Sequence, residues 1–203
     1  MIYQPQDRFF KQAKREGYRS RAAYKLLDLQ QRHRVLHPGE KVVDLGAAPG
    51  GWLQVAARIV GASGRVIGVD LQEIQPFPER NIVLVHGDAA SVEVQTKIRE
   101  ELVGQADAVI SDMAPKLSGI RDADIARAIE LNELALGLAV KLLKPRGMLL
   151  FKAFMSAEVH ELTAALKRNF SAVQRTKPEA TRQGSSELYF IAKGFFGASG
   201  KQP

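Results

Sequence analysis

Short β-branched apolar runs recur along this chain at Lys41–Leu45, Arg65–Val69, Asn81–His86, Asp107–Ser111 and Met148–Ala153. Helix-length segments near 50–60, 91–103 and 122–143 separate them. This alternation is the βαβ pattern of a parallel sheet buried on both faces. The 122–143 helix is the clearest, and Lys144-Pro145-Arg146-Gly147 stops it. A helix near 156–168 follows, then strands near 171–176 and 187–195. Only about ten polar residues, with Pro178 and Gly184, join those two strands, so they should pair antiparallel. Ahead of the sheet the pattern predicts helices over 5–16 and 20–34, with Ser20 as N-cap of the second. Tyr24, Leu27 and Leu29 give that helix an apolar face, and Pro38-Gly39 breaks the chain after it. The expectation is a doubly wound α/β fold of seven strands, mostly parallel, with helices on both faces.

A chain of 203 residues suits one substantial core, and 45% hydrophobic with 25% charged residues is ordinary for a soluble domain. We expect a single domain over 1–203: a basic helical segment over 1–38, a catalytic core over 39–196 and a flexible tail over 197–203. No run is long enough to span a membrane. Met1–Asp7 lacks the basic and apolar regions of a signal peptide. Cysteine is absent, which excludes disulfides and thiolate metal sites and fits a reducing cytoplasm.

The net charge of +7 is unevenly placed. Residues 1–41 carry ten Lys or Arg against four acids, a surplus of +6, and the rest is close to neutral. A basic segment on a neutral domain is either a solvated face or a grip for a polyanion, most often nucleic acid. Lys11, Lys14, Arg19, Arg21 and Lys25 are its candidate nucleic-acid contacts.

The stretch Asp44-Leu-Gly-Ala-Ala-Pro-Gly-Gly-Trp52 closes the first strand and opens the next helix, where doubly wound folds hold their cofactors. Its Gly46, Gly50 and Gly51 do not make G-x-G-x-x-G, and no P-loop lysine follows. The loop therefore suits a cofactor whose only anion is a small carboxylate, met by N–H groups at a helix start, such as S-adenosylmethionine. A plain strand–helix turn is the competing explanation. Three later strands end in aspartate. Asp70 is placed to accept from ribose hydroxyls, Asp88 from an adenine amino group, and Asp112 lies beside the switch point. Candidate cofactor positions are Gly46, Pro49, Gly50, Gly51, Trp52, Asp70, Leu71, Asp88, Ala89 and Asp112.

Ser111-Asp112-Met113-Ala114-Pro115 has no aromatic residue to stack on a flipped base, which argues against base N-methylation. Pyrimidine C5 chemistry would need a cysteine nucleophile. A hydroxyl target fits what remains. Lys152 ends a strongly apolar strand, where a lysine is costly unless paired or working. With Lys25, Asp112 and Glu187 it forms a set of two cations and two carboxylates. A lysine near a second positive charge has a lowered pKa, and only a neutral amine can take a proton. His33, His37, His86 and His160 show no metal-ligand spacing, so no metal is expected.

On Arg19-Ser-Arg-Ala-Ala-Tyr-Lys-Leu26, Val43–Trp52 and Ser111–Pro115 the chain resembles the FtsJ/RrmJ family of ribose 2′-O-methyltransferases over nearly its whole length. The resemblance implies a Rossmann-like S-adenosylmethionine-dependent methyltransferase fold and a Lys-Asp-Lys-Glu tetrad at Lys25, Asp112, Lys152 and Glu187. It also implies cofactor contacts at Gly50, Trp52, Asp70, Asp88 and Asp112, and a uridine of large-subunit ribosomal RNA as substrate. Where the family often has Lys-Val-Phe, this chain has Lys152-Ala-Phe154, and its N-terminus is shorter.

The expectation is a cytoplasmic, monomeric RNA 2′-O-ribose methyltransferase with Lys152 as general base. Asp112 and Lys25 would tune that base, and Glu187 would hold Lys25. Transfer RNA is an alternative substrate. A nucleotide-cofactor oxidoreductase and a non-catalytic ribosome-assembly factor are the rivals from other classes.

Overall fold

The β-branched runs pair into one seven-stranded sheet in a computed structural model of the chain, which describes residues 8–115, 118–156, 159–181 and 184–197. Helices α1 (Arg8–Glu16) and α2 (Ala23–His33) precede β1 (Lys41–Leu45), α3 (Gly51–Val60), β2 (Arg65–Asp70) and β3 (Ile82–His86). Then come α4 (Val92–Leu102), β4 (Ala106–Ser111), α5 (Arg121–Leu142) and β5 (Leu143–Phe154). Last are α6 (Val159–Asn169), β6 (Phe170–Thr176) and β7 (Glu187–Phe195).

The strand order is β3-β2-β1-β4-β5-β7-β6. β1 pairs parallel with both β2 and β4, so the direction of sheet growth reverses there. Such a switch point leaves a crevice beyond the carboxyl ends of the strands, where α/β sheets bind ligands. The expected antiparallel pairing of β6 with β7 is observed, and β7 also pairs antiparallel with β5. The last strand is therefore inserted inside the sheet, and β6 forms its edge.

Alternating strand residues feed two cores. Val43, Ile67, Val109 and Leu149 pack with Ile98 of α4, Leu138 of α5 and Leu166 of α6. Val42, Val66, Ile110, Leu150 and Ile191 pack with Leu26 and Leu29 of α2 and Leu53 and Val60 of α3. Burial on both faces is why these strands read as near-continuous apolar runs. Among the described residues, no helix is long and apolar enough to cross a membrane.

Several boundaries depart from the sequence pattern. Ser20 is not the N-cap of α2: that helix starts at Ala23 after Ala22, which makes no side-chain capping bond. Ser20 instead lies against α3, where a Cβ on Gly51 would come within 2.3 Å of its hydroxyl. Strand β5 begins at Leu143 rather than Met148, because its pairing with β4 jumps from Ala106↔Leu143 to Ala108↔Met148. The proline-glycine signal of 144–147 thus marks an irregularity within the strand, with Arg146 at φ 67. Residues 5–7, the start of the expected first helix, and 198–203, most of the expected tail, lie outside the described residues.

Candidate active site

Strand register carries four side chains to one place. On the α2/α3 face Ile110 of β4 neighbours Leu150 of β5, which neighbours Ile191 of β7. One step further along are Asp112, Lys152 and Tyr189, and Lys152 is directly opposite Tyr189. Glu187 is two residues before Tyr189, so it shares that face. Lys25 comes from the buried side of α2, between Tyr24 and Leu26.

Asp112 is the hub. Its Oδ1 is 3.0 Å from the Lys152 amine and 3.7 Å from the Lys25 amine. Lys152 also donates to the Asp112 backbone carbonyl at 2.7 Å. The Tyr189 hydroxyl donates to the same Oδ1 at 2.5 Å. Lys25 donates to Glu187 Oε2 at 3.1 Å, and its amine is 5.6 Å from the Tyr189 ring centre. Both lysines are 7% exposed, which excludes a solvated surface role. Burial, and then the Asp112 charge, hold the Tyr189 hydroxyl well above its ordinary pKa, so it stays a donor.

Asp112 also borders a cleft of about 570 Å³, lined further by Gly46, Ala48, Asp70, Leu71, Asp88, Ala89 and Met113. That is the size of a small-molecule site. Gly46 has φ 74, and a Cβ there would lie 2.3 Å from Met113, so glycine alone fits. Asp70 accepts from the N–H of Ala48 and of Gln72, both at 2.8 Å, and thereby ties the glycine loop to the start of the β2–β3 connection. Asp88 accepts from Ala90 N–H at 2.9 Å. Each carboxylate keeps lone pairs for a ligand.

Beneath the loop Asp44 is 1% exposed, and neither carboxylate oxygen has a protein partner. Burial, and then the charges of Asp112 and Asp70, push its pKa well above the ordinary carboxylate value. Asp70, Asp88, Asp112 and Glu130 line the cleft against Arg127, a balance that suits a cationic nucleoside better than a pyrophosphate. S-adenosylmethionine, with its sulfonium, ammonium, ribose and adenine, fits that donor set. Asp70, Asp88, Asp112 and the backbone at Gly46 would hold it.

Residues 18–195 match the family model of FtsJ-like methyltransferases. The chain belongs to this family. Among curated relatives, the ribosomal RNA large subunit methyltransferase E of Methanothermobacter thermautotrophicus is 46% identical over 191 residues, 94% of this chain and 90% of that protein. The protein of that name from Syntrophobacter fumaroxidans is 47% identical over 192 residues, 94% of this chain and 96% of its own length. Among solved structures, a ribosomal RNA methyltransferase of Plasmodium falciparum superposes with a TM-score of 0.80 at 28% identity, covering 89% of this chain and all of that one. Aeropyrum pernix fibrillarin, solved with natively bound S-adenosyl-L-methionine, shares the fold at a TM-score of 0.57 and 19% identity, covering 86% of this chain and 75% of that one.

As a methyltransferase of this family the chain brings Lys25, Asp112, Lys152 and Glu187 together, and Gly46, Asp70, Leu71, Asp88, Ala89 and Asp112 border the cleft. Pro49, Gly50, Gly51 and Trp52 are not among the cleft-lining residues. Trp52 is buried, donates to the Ala22 carbonyl at 2.9 Å and packs 6.0 Å from the Tyr189 ring, so it supports the site from behind. Gly50 and Gly51 make room for Phe77, Arg19 and Ser20.

The basic candidates divide. Lys11 and Lys14 are exposed on α1. Arg19 donates to the carbonyls of Gln75 and Pro76, and Arg21 to that of Ala180. Lys25 faces the tetrad, which leaves it poorly placed to meet a phosphate. Tyr189 escaped the sequence reading. Its signal was the alternation Glu187-x-Tyr189, which puts a hydroxyl on the face of Glu187.

Proposed function

We propose that this chain methylates a ribose 2′-hydroxyl of ribosomal RNA, a uridine of the large subunit, with S-adenosylmethionine as donor, acting as a cytoplasmic monomer. The observation that carries this reading is the buried Lys152–Asp112–Lys25 cluster at the border of the cleft, with Glu187 behind it. The cofactor supplies an electrophilic methyl group on a sulfonium. The chain must then place a hydroxyl in line with it and remove a proton.

Lys152 is the general base. A neutral amine has two N–H donors and one lone pair. Asp112 Oδ1 and the Asp112 carbonyl take the two donors, which leaves the lone pair for the 2′-hydroxyl. Lys25 and Tyr189 also engage Asp112 Oδ1 and hold that carboxylate in place beside Lys152. Glu187 fixes Lys25. With the cofactor bound, the methyl–sulfur bond would break as the methyl–oxygen bond forms, leaving a neutral thioether, while the hydroxyl proton would pass to Lys152 and then to solvent. Lys11 and Lys14 supply charge for the RNA backbone.

The test is transfer of labelled methyl to free ribosomal RNA and to isolated ribosomal subunits, with the product nucleotides mapped. One alkali-resistant 2′-O-methylated position in large-subunit RNA is expected. Label on a base, or none on any RNA with cofactor bound, refutes the reading.

A further inference from the structure

Residues 71–81 connect β2 to β3 without helix or strand, and they carry Leu71 and Gln72 into the wall of the cleft. So long an irregular stretch needs external anchors to hold one shape. At its near end Asp70 binds Gln72 N–H, and the His86 ring bonds the Leu71 carbonyl at 3.0 Å. At its far end the anchor is Arg19, from the basic segment. Its two terminal nitrogens donate to the carbonyls of Gln75 and Pro76, each at 2.6 Å. The guanidinium carbon lies 3.5 Å from the Phe77 ring centre.

The Phe77 ring in turn covers Gly50 of the glycine loop. A Cβ on Gly50 would come within 2.4 Å of that ring and 3.3 Å of the Arg19 side chain. The Arg19 backbone is fixed as well: its N–H donates to Gln54 Oε1 at 2.8 Å, and Gln54 Nε2 donates to the Gly17 carbonyl at 2.9 Å. Three segments meet at one point: the basic segment, the glycine loop and the far end of the connection whose near end, Leu71 and Gln72, lines the cleft. The planar fork of Arg19 is turned onto protein carbonyls. A lysine could match neither the paired bonds nor the stacking.

We propose that Arg19 and Phe77 form a clasp through which S-adenosylmethionine and RNA strengthen each other's binding, Arg19 acting as a positioning residue for the cofactor cleft rather than as a phosphate contact. The inference rests on the cleft and the basic segment having the ligands proposed above. RNA held by Lys11 and Lys14 orders the basic segment, which keeps the clasp closed and the cleft wall in place. A bound cofactor orders the wall, which keeps the basic segment in position. Each ligand meets part of the other's ordering cost, and the coupling is reciprocal.

The test measures cofactor affinity by calorimetry with and without a ribosomal RNA fragment, in four variants. Arg19→Lys keeps the charge but loses the fork. Phe77→Ala removes the ring, Phe77→Leu keeps bulk without a ring face, and Phe77→Tyr restores the face. Without RNA, the first three should bind S-adenosylmethionine about five- to fiftyfold more weakly, while Phe77→Tyr stays near wild type. RNA should raise cofactor affinity in the wild type and in Phe77→Tyr, and barely at all in the other three. Circular dichroism and melting confirm that Phe77→Leu remains folded.

Wild-type cofactor affinity in Arg19→Lys and Phe77→Leu overturns the clasp. A wild-type protein that binds both ligands with no mutual effect overturns the coupling. Cofactor binding without any RNA binding removes the RNA reading and the coupling together, while the RNA-free arm still decides whether the clasp positions the cleft.

Discussion

Replacing Lys152 with alanine separates base catalysis from alignment. The lysine is 7% exposed, and its amine touches Asp112 Oδ1 and the Asp112 carbonyl. The truncation leaves Asp112 in contact with Tyr189 at 2.5 Å and Lys25 at 3.7 Å, so the fold and the cleft should survive. What is lost is the lone pair that the two Asp112 contacts leave free. Loss of a general base costs about 100- to 10,000-fold. At about 1.36 kcal/mol per tenfold, that is about 2.7–5.4 kcal/mol of barrier. Cofactor and RNA affinities should remain near wild type, because a base acts mainly in the transition state. Lys152→Arg should not restore activity, since a guanidinium does not give up its proton at working pH. The assay is single-turnover methyl transfer at saturating cofactor and RNA. A Lys152→Ala rate within a few-fold of wild type would refute the base role and leave alignment as the source of catalysis.

Asp70→Ala removes the group that ties Ala48 to Gln72 and faces the cleft. It should weaken S-adenosylmethionine by about 1–3 kcal/mol, and unchanged calorimetric affinity would exclude Asp70 as a contact. Asp44 has a folded pKa raised well above its unfolded value, so its stabilising contribution is complete below about 3.9 and is lost as pH climbs toward the raised value. Asp44→Asn should therefore gain melting temperature relative to wild type between acid and neutral pH, and parallel melting curves across that range would contradict the buried, neutral carboxyl. Replacing Lys11 and Lys14 together with glutamine should reduce the slope of log affinity against log salt by about 1.4–1.8, as two lost phosphate contacts require. A slope equal to wild type would place the RNA elsewhere.

Much of this protein was legible along the chain because strand, helix and breaker signals are local. The β-branched runs, the three aspartates at strand ends and the Gly46 turn all lie within a few residues of the feature that reveals them. The pairing of β6 with β7 followed from a connection too short for a crossover. Local signals failed where a breaker sat inside a strand, as at Pro145-Arg146-Gly147, because the neighbouring β4 supplies pairing partners on both sides of the break. Ser20 looked like a cap for the same kind of reason: its role is decided by Gly51, which lies against it only after folding.

The site depends more on tertiary structure. Lys25 and Glu187 are 162 positions apart, and only the insertion of β7 beside β5 brings the β7 carboxylate to the α2 amine. That same pairing sets Tyr189 opposite Lys152 and turns a strand tyrosine into a donor to Asp112. Burial, which no motif states, makes Asp44 an unpartnered acid and makes two lysines part of the core. Arg19 reads as one more basic residue until the connection after β2 folds back on it and takes its donors. The sequence by itself determined which elements form and which residue types stand at the strand ends, because those depend on periodicity and on neighbours along the chain. Only the tertiary structure decided which charges share a carboxylate, which cations face solvent and which face carbonyls, because those depend on distance and dielectric between segments far apart in sequence.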